Sequence, residues 1–143
     1  MSFLQSWVWF ALGSAFFAGL TALFGKLGVA GINSNMATFI RTVVILVVTA
    51  GILSLRSEWQ KLNTISTHSW LYLVLSGVAT GLSWLCYYRA LQIGPVSKVA
   101  PIDKLSVAVA IILGIIVVGE KLTWPLALGG GLIVAGSIII ILF

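Results

Sequence analysis

Apolar stretches separated by short polar punctuation fill nearly all of this 143-residue chain. Five runs stand out, at about 4–26, 34–55, 69–91, 97–118 and 123–142, each close to the roughly 20 helical residues that cross a hydrocarbon core about 30 Å thick. The pattern within each run is continuously apolar, without the alternation of ten-residue membrane strands. The backbone has to close its own hydrogen bonds in lipid, so helices are the expected solution. The predicted fold is therefore all-α, a polytopic membrane helix bundle with five transmembrane helices, read as a single unit over residues 1–143. An odd number of spans puts the termini on opposite sides of the membrane. Five helices also make a thin wall for an aqueous path, as if the chain were half of an assembly.

The punctuation is local and specific. Gly31-Ile32-Asn33-Ser34-Asn35 turns the first run into the second and offers Asn or Ser as a helix cap. Arg56 to His68 is the longest polar stretch. Gly94-Pro95 breaks the chain after the third run, and Pro101 limits where the fourth helix can begin. Gly119 to Thr123 forms a tight turn, with Thr123 as cap and Pro125 tolerated in the first turn. If the runs alternate direction, Trp7, Trp9, Trp59, Trp70 and Trp124 all fall on the N-terminal side, at the headgroup level that indoles prefer. Trp84, Tyr87 and Tyr88 lie toward the other end.

Composition narrows the picture further. Hydrophobic residues make up 60% of the chain and charged residues 8%, against the usual quarter for a soluble domain. The net charge is +5, but the basic residues are spread over several loops, so no nucleic-acid patch is expected. Cys86 is the one cysteine and allows no intrachain disulfide. Met1 to Gly25 has no Lys or Arg, and hence no basic leader region, so the first run is expected to be a retained helix. Lone His68, the absence of Cys/His metal spacing and Gly129-Gly130-Gly131 inside a membrane run leave no catalytic or nucleotide-binding constellation. The expectation is a protein that is not an enzyme and needs no cofactor or metal.

Two groups of residues depart from plain membrane filler. Arg41 lies within the second run and Asp103-Lys104 within the fourth, at similar depth from one side, while Lys26 and Arg89 end runs on that same side. A charge at mid-helix costs roughly 2.5–3.5 kcal/mol on insertion scales, so such groups face partners or water. Lys26, Arg41, Arg89, Asp103 and Lys104 are accordingly the candidate substrate or cavity residues, with Arg41 and Asp103 expected to share one cavity. The plainer alternative has the basic chains snorkelling to headgroups and Asp103 stabilising a helix start at Pro101. The second group is small: Gly77 and Gly81, then Ala127, Gly131 and Ala135, spaced four apart as in close helix packing or a dimer face.

Several segments resemble a known domain. "GLTALFGK" at Gly19–Lys26, "NSNMATFIR" ending in Arg41, "CYYRALQIGPVSKVAPI" around the third junction and "GEKLTWPLALGGGLIVAGSIII" from Gly119 are similar to the EamA-like domain of the drug/metabolite transporter superfamily. The Gly-Glu turn followed by a Gly-rich last helix is the most specific of these. The resemblance covers essentially the whole chain and matches the short, five-helix bacterial and archaeal form. A proline often found midway along the fourth helix is absent unless Pro101 takes its role.

That resemblance implies a multi-pass protein of the cell membrane that exports or exchanges small organic metabolites by alternating access. Longer members carry two inverted units in one chain, so this form implies self-association or a related membrane partner chain. An antiparallel homodimer of dual topology fits the charge pattern. Arg56, Lys61 and Lys121 fall on one side against Lys26, Arg41, Arg89, Lys98 and Lys104 on the other, and without the deep Arg41 and Lys104 the sides are even. Orientation follows Lys/Arg asymmetry, and a small bias is compatible with both orientations. The alternatives are a non-transporting membrane subunit of a larger complex and a half-transporter that requires a related chain.

Overall fold

The structure, a computed structural model, describes residues 6–143. Its helices are α1 (Ser6–Gly28), α2 (Ser34–Leu55), α3 (Thr67–Ile93), α4 (Val96–Asp103), α5 (Ser106–Leu113) and α6 (Trp124–Leu142). A 3₁₀ turn at Leu62–Thr64 precedes α3, and a π-helical turn at Gly114–Val118 extends α5. Among the described residues there is no strand, and five helical spans are long and apolar enough to cross a membrane: α1, α2, α3, the run Val96–Val118 and α6. The five expected runs match these spans, with ends displaced by only a few residues.

Two compact units divide the chain: Gly25–Gln92, and the described residues up to Phe24 together with Ile93–Phe143. In the first unit, Gly31 takes a positive φ of 80° to turn the chain, and Asn33 then caps α2. Its Oδ1 accepts the N–H groups of Asn35 at 2.9 Å and Met36 at 3.4 Å, which satisfies donors that a helix start leaves orphaned. Ser66 does the same for α3, its Oγ accepting from Ser69 N–H at 3.0 Å. Along α2 the hydroxyls of Thr38, Thr42, Thr49 and Ser54 donate to carbonyls four residues back. Each polar group is thereby silenced inside an apolar helix.

The tight point of this unit lies where the end of α1 meets the end of α3. Val29 and Leu91 are fully buried there, with Tyr88 beside them. A Cβ at Gly25 would stand 3.2 Å from Leu91 Cδ1 and 3.3 Å from the Tyr88 hydroxyl, so the missing side chain is what admits both.

In the second unit the fourth span is discontinuous. It starts at Val96 on the Gly94-Pro95 break, with Pro101 inside α4 rather than at its start. Proline offers no N–H to the carbonyl four residues back. The chain then tightens: Lys104 N–H bonds to Pro101 O and Leu105 N–H to Ile102 O, both three residues back, before α5 begins at Ser106. Ser137 of α6 donates its hydroxyl to Pro101 O at 3.0 Å, a side-chain donor at the break. The π turn ends at Gly119, whose φ of 78° suits glycine, and Pro125 sits in the first turn of α6 behind Thr123.

The face that α6 turns inward consists of Leu126, Gly130, Val134 and Ser137. A Cβ on Gly130 would fall 2.7 Å from Ile111 Cδ1 of α5, so this glycine sets the close approach. Gly131, one residue on, has open space at the same position, and Ala127, Gly131 and Ala135 form an exposed stripe. Replacing Gly130 by Leu is expected to lower the protomer's unfolding stability by about 1–3 kcal/mol through overpacking. Gly131→Leu should leave it unchanged, as read by thermal unfolding in detergent.

Candidate functional site

The five charged candidates have different surroundings. Lys26, in the last turn of α1, donates from Nζ to the carbonyl of Leu91 at 2.6 Å. That carbonyl belongs to the last turn of α3, where helix carbonyls lack intrahelical partners and the dipole is negative. Lys26 therefore works as a cap across two helices. Arg89 is exposed and donates to Gln92 Oε1 at 2.7 Å, while Gln92 Nε2 reaches Ile32 O at 2.8 Å. This relay ties the turn after α1 to the end of α3.

Asp103 and Lys104 occupy the break between α4 and α5. Their side chains meet at 3.4 Å, half-exposed, with Asp103 the last residue of α4 and Lys104 just after it, two residues before α5. The fourth span starts at Val96 and not at Pro101, and α5 has no acidic residue in its first turn, so Asp103 does not stand at a helix start and its described charged contact is Lys104.

Arg41 is different from all of these. It lies seven residues beyond Ser34 in α2, a depth of about 10 Å at 1.5 Å per residue. Its guanidinium carbon stands 3.6 Å from the centroid of the Trp84 ring and 5.5 Å from that of Tyr88, both on α3. Those distances fall within the range of cation–π attraction, about 2 kcal/mol or more when the pair is desolvated. A guanidinium stacked at such a distance turns its face to the indole and its N–H donors outward in its own plane. One of them is stranded. Nη1 is buried and has no hydrogen-bond partner among the described residues.

Trp84 and Tyr88 were not among the residues singled out from the sequence, where they read as aromatic anchors of the headgroup region. A signal was nonetheless there. They are four apart on one face of α3, and Trp84 lies nine residues before Ile93, about 13 Å in, a depth near that of Arg41.

An open groove of about 350 Å³ runs between α2 and α3, lined by neighbours of Arg41 and Trp84 in sequence and not by those two residues themselves. Thr38 and Gly81 line it, each three residues before Arg41 and Trp84 respectively, and its other walls are mainly Phe39, Val78, Leu82 and Leu85. Gly81 thus lines open space, and a Cβ on Gly77 or Gly81 would touch nothing within 4 Å. The lining is almost wholly apolar.

The sequence comparisons complete the picture. The model of the EamA-like transporter family matches residues 5–142. A Sinorhizobium protein described as "Uncharacterized transporter in cobO 3'region" is 52% identical over 139 residues, covering 97% of this chain and 99% of that one. No solved structure matches the chain significantly. The match spans all five membrane helices and both compact units, and the chain belongs to the EamA-like transporter family.

Proposed function

We propose that this protein is one protomer of a secondary transporter that exports or exchanges small organic metabolites by alternating access in the cell membrane. Membership of a transporter family, five spans and a transporter-named relative support the general class. The observation that carries the finer reading is the broken fourth span. It sets Asp103 and Lys104 between two half-helix ends inside an otherwise apolar run. Discontinuous helices with charged residues at the break are a recurring device for holding solutes and coupling ions near the midplane, and such a break also supplies a bendable point. Asp103 is the candidate coupling carboxylate, and Arg41 the candidate solute contact.

The second half of the transporter is a second copy in the opposite orientation. Support comes from the near-even Lys/Arg distribution and from the exposed stripe of Ala127, Gly131 and Ala135, which lets helix backbones approach closely. A non-transporting subunit, or a half-transporter that depends on a related chain, is the competing account.

Purified protein reconstituted alone in liposomes is expected to show solute counterflow across a panel of small metabolites. Asp103→Asn should lower that flux about tenfold or more, equivalent to about 1.4 kcal/mol on the barrier, with little change in unfolding midpoint. Undiminished flux in the variant removes Asp103 from the mechanism, and absence of flux from the wild-type chain alone favours the competing account. For the dimer, reporters fused to the C-terminus should signal on both sides of the membrane, and Gly131→Leu should weaken cross-linking between copies. A signal confined to one side rules out dual topology.

A further inference from the structure

The geometry points to a carboxylate-binding subsite at Arg41, with Trp84 and Tyr88 as its aromatic floor and the α2–α3 groove holding the flat apolar body of a monoanionic solute. This inference rests on the transporter reading and names the class of solute the protein takes.

Three observations support it. The guanidinium carbon sits over the Trp84 ring at 3.6 Å from its centroid, a stacking distance that favours hydrogen bonding through the guanidinium edges. A guanidinium edge presents two parallel N–H donors, and a carboxylate matches that fork with two oxygens. Nη1 is buried and has no hydrogen-bond partner among the described residues, so an acceptor that pairs with it, once the covering side chains or the guanidinium shift to expose it, displaces no described partner. A buried donor left unmade is unfavourable, and closing it adds to affinity. Arg41 as a whole is only partly buried, so the side chain remains reachable.

Charge and shape restrict the ligand further. Within the same unit the other cations near this end of α3 are occupied, Lys26 on the Leu91 carbonyl and Arg89 on Gln92. One guanidinium neutralises one negative charge, and a dianion would carry an uncompensated charge into an apolar setting. The groove begins one helical turn, about 5.4 Å, from Arg41 and from Trp84. Its volume of about 350 Å³ and its apolar walls suit a ring or short hydrocarbon body.

Benzoate, its neutral isostere benzamide and the dianion-forming phenylphosphonate test this directly, measured at pH 8 by thermal stabilisation of the detergent-purified protein. Benzoate is expected to raise the unfolding midpoint saturably, with benzamide and phenylphosphonate at least about tenfold weaker, as loss of a paired charge implies. Arg41→Gln should abolish the benzoate response. Arg41→Lys keeps the charge but loses the fork, and should weaken it about tenfold. If Arg41→Gln does not fold, Arg41→Lys carries the test. A purely structural cation–π clamp would lower the midpoint of these variants yet leave any benzoate response unaltered, which overturns the subsite. Equal responses to benzoate and benzamide overturn it too, and a stronger response to phenylphosphonate overturns the monoanion assignment. Counterflow in liposomes separates the two levels. Solute flux that persists without Arg41-dependent benzoate binding removes the subsite and leaves the transporter, whereas benzoate binding without flux does the reverse.

Discussion

A full positive charge about two turns inside an apolar helix is the constraint around which the first unit is arranged. Arg41 meets it without a carboxylate ion pair among the described residues: its guanidinium carbon lies over the Trp84 ring, with Tyr88 nearby. An indole face attracts a cation through its quadrupole and needs no counter-charge of its own. A carboxylate partner would have quenched the arginine within the protein. An aromatic partner takes none of the in-plane donors, and one nitrogen, Nη1, has no hydrogen-bond partner among the described residues. The charge is tolerated and remains available.

Several other polar groups in this unit are satisfied through the backbone. Lys26 takes the Leu91 carbonyl, Thr38 and Thr42 take carbonyls of their own helix, and Gln92 takes the Ile32 carbonyl. These bonds cost little specificity and fix the ends of α1 and α3 around Val29, Leu91 and Tyr88. Tyr88 therefore has two tasks, filling the core beside Gly25 and lying near Arg41. The second unit follows another rule. It has polar groups gathered at a helix break, where Pro101 has no N–H to give, the Pro101 carbonyl accepts the Ser137 hydroxyl, and Asp103 meets Lys104.

The spans were legible because length and apolar continuity are set by the bilayer, and the Asn33 cap and the Gly94-Pro95 break because they act over a few residues; the Ser66 cap was not read from the sequence. The inward faces were not. Helices that are apolar all round carry no amphipathic stripe, so nothing in the pattern distinguishes Gly130 from Gly131, although they point about 100° apart. Packing chose Gly130. The pairing of Arg41 with Trp84 is likewise a contact between helices 43 positions apart in sequence, visible only as a coincidence of depth. Pro101 marked the right region of the fourth span, but whether it would begin or interrupt a helix depended on the capping of Val96 by the preceding Gly94-Pro95 turn.

The energetic coupling between Arg41 and Trp84 is the most direct measure of this account. In a double-mutant cycle with Arg41→Met, Trp84→Leu and the combined variant, reversible unfolding should give a coupling of about 1–2 kcal/mol, because each partner is expected to lose most of its value without the other. Additive effects, within about 0.5 kcal/mol, would show that the indole does not hold the guanidinium and would contradict the account.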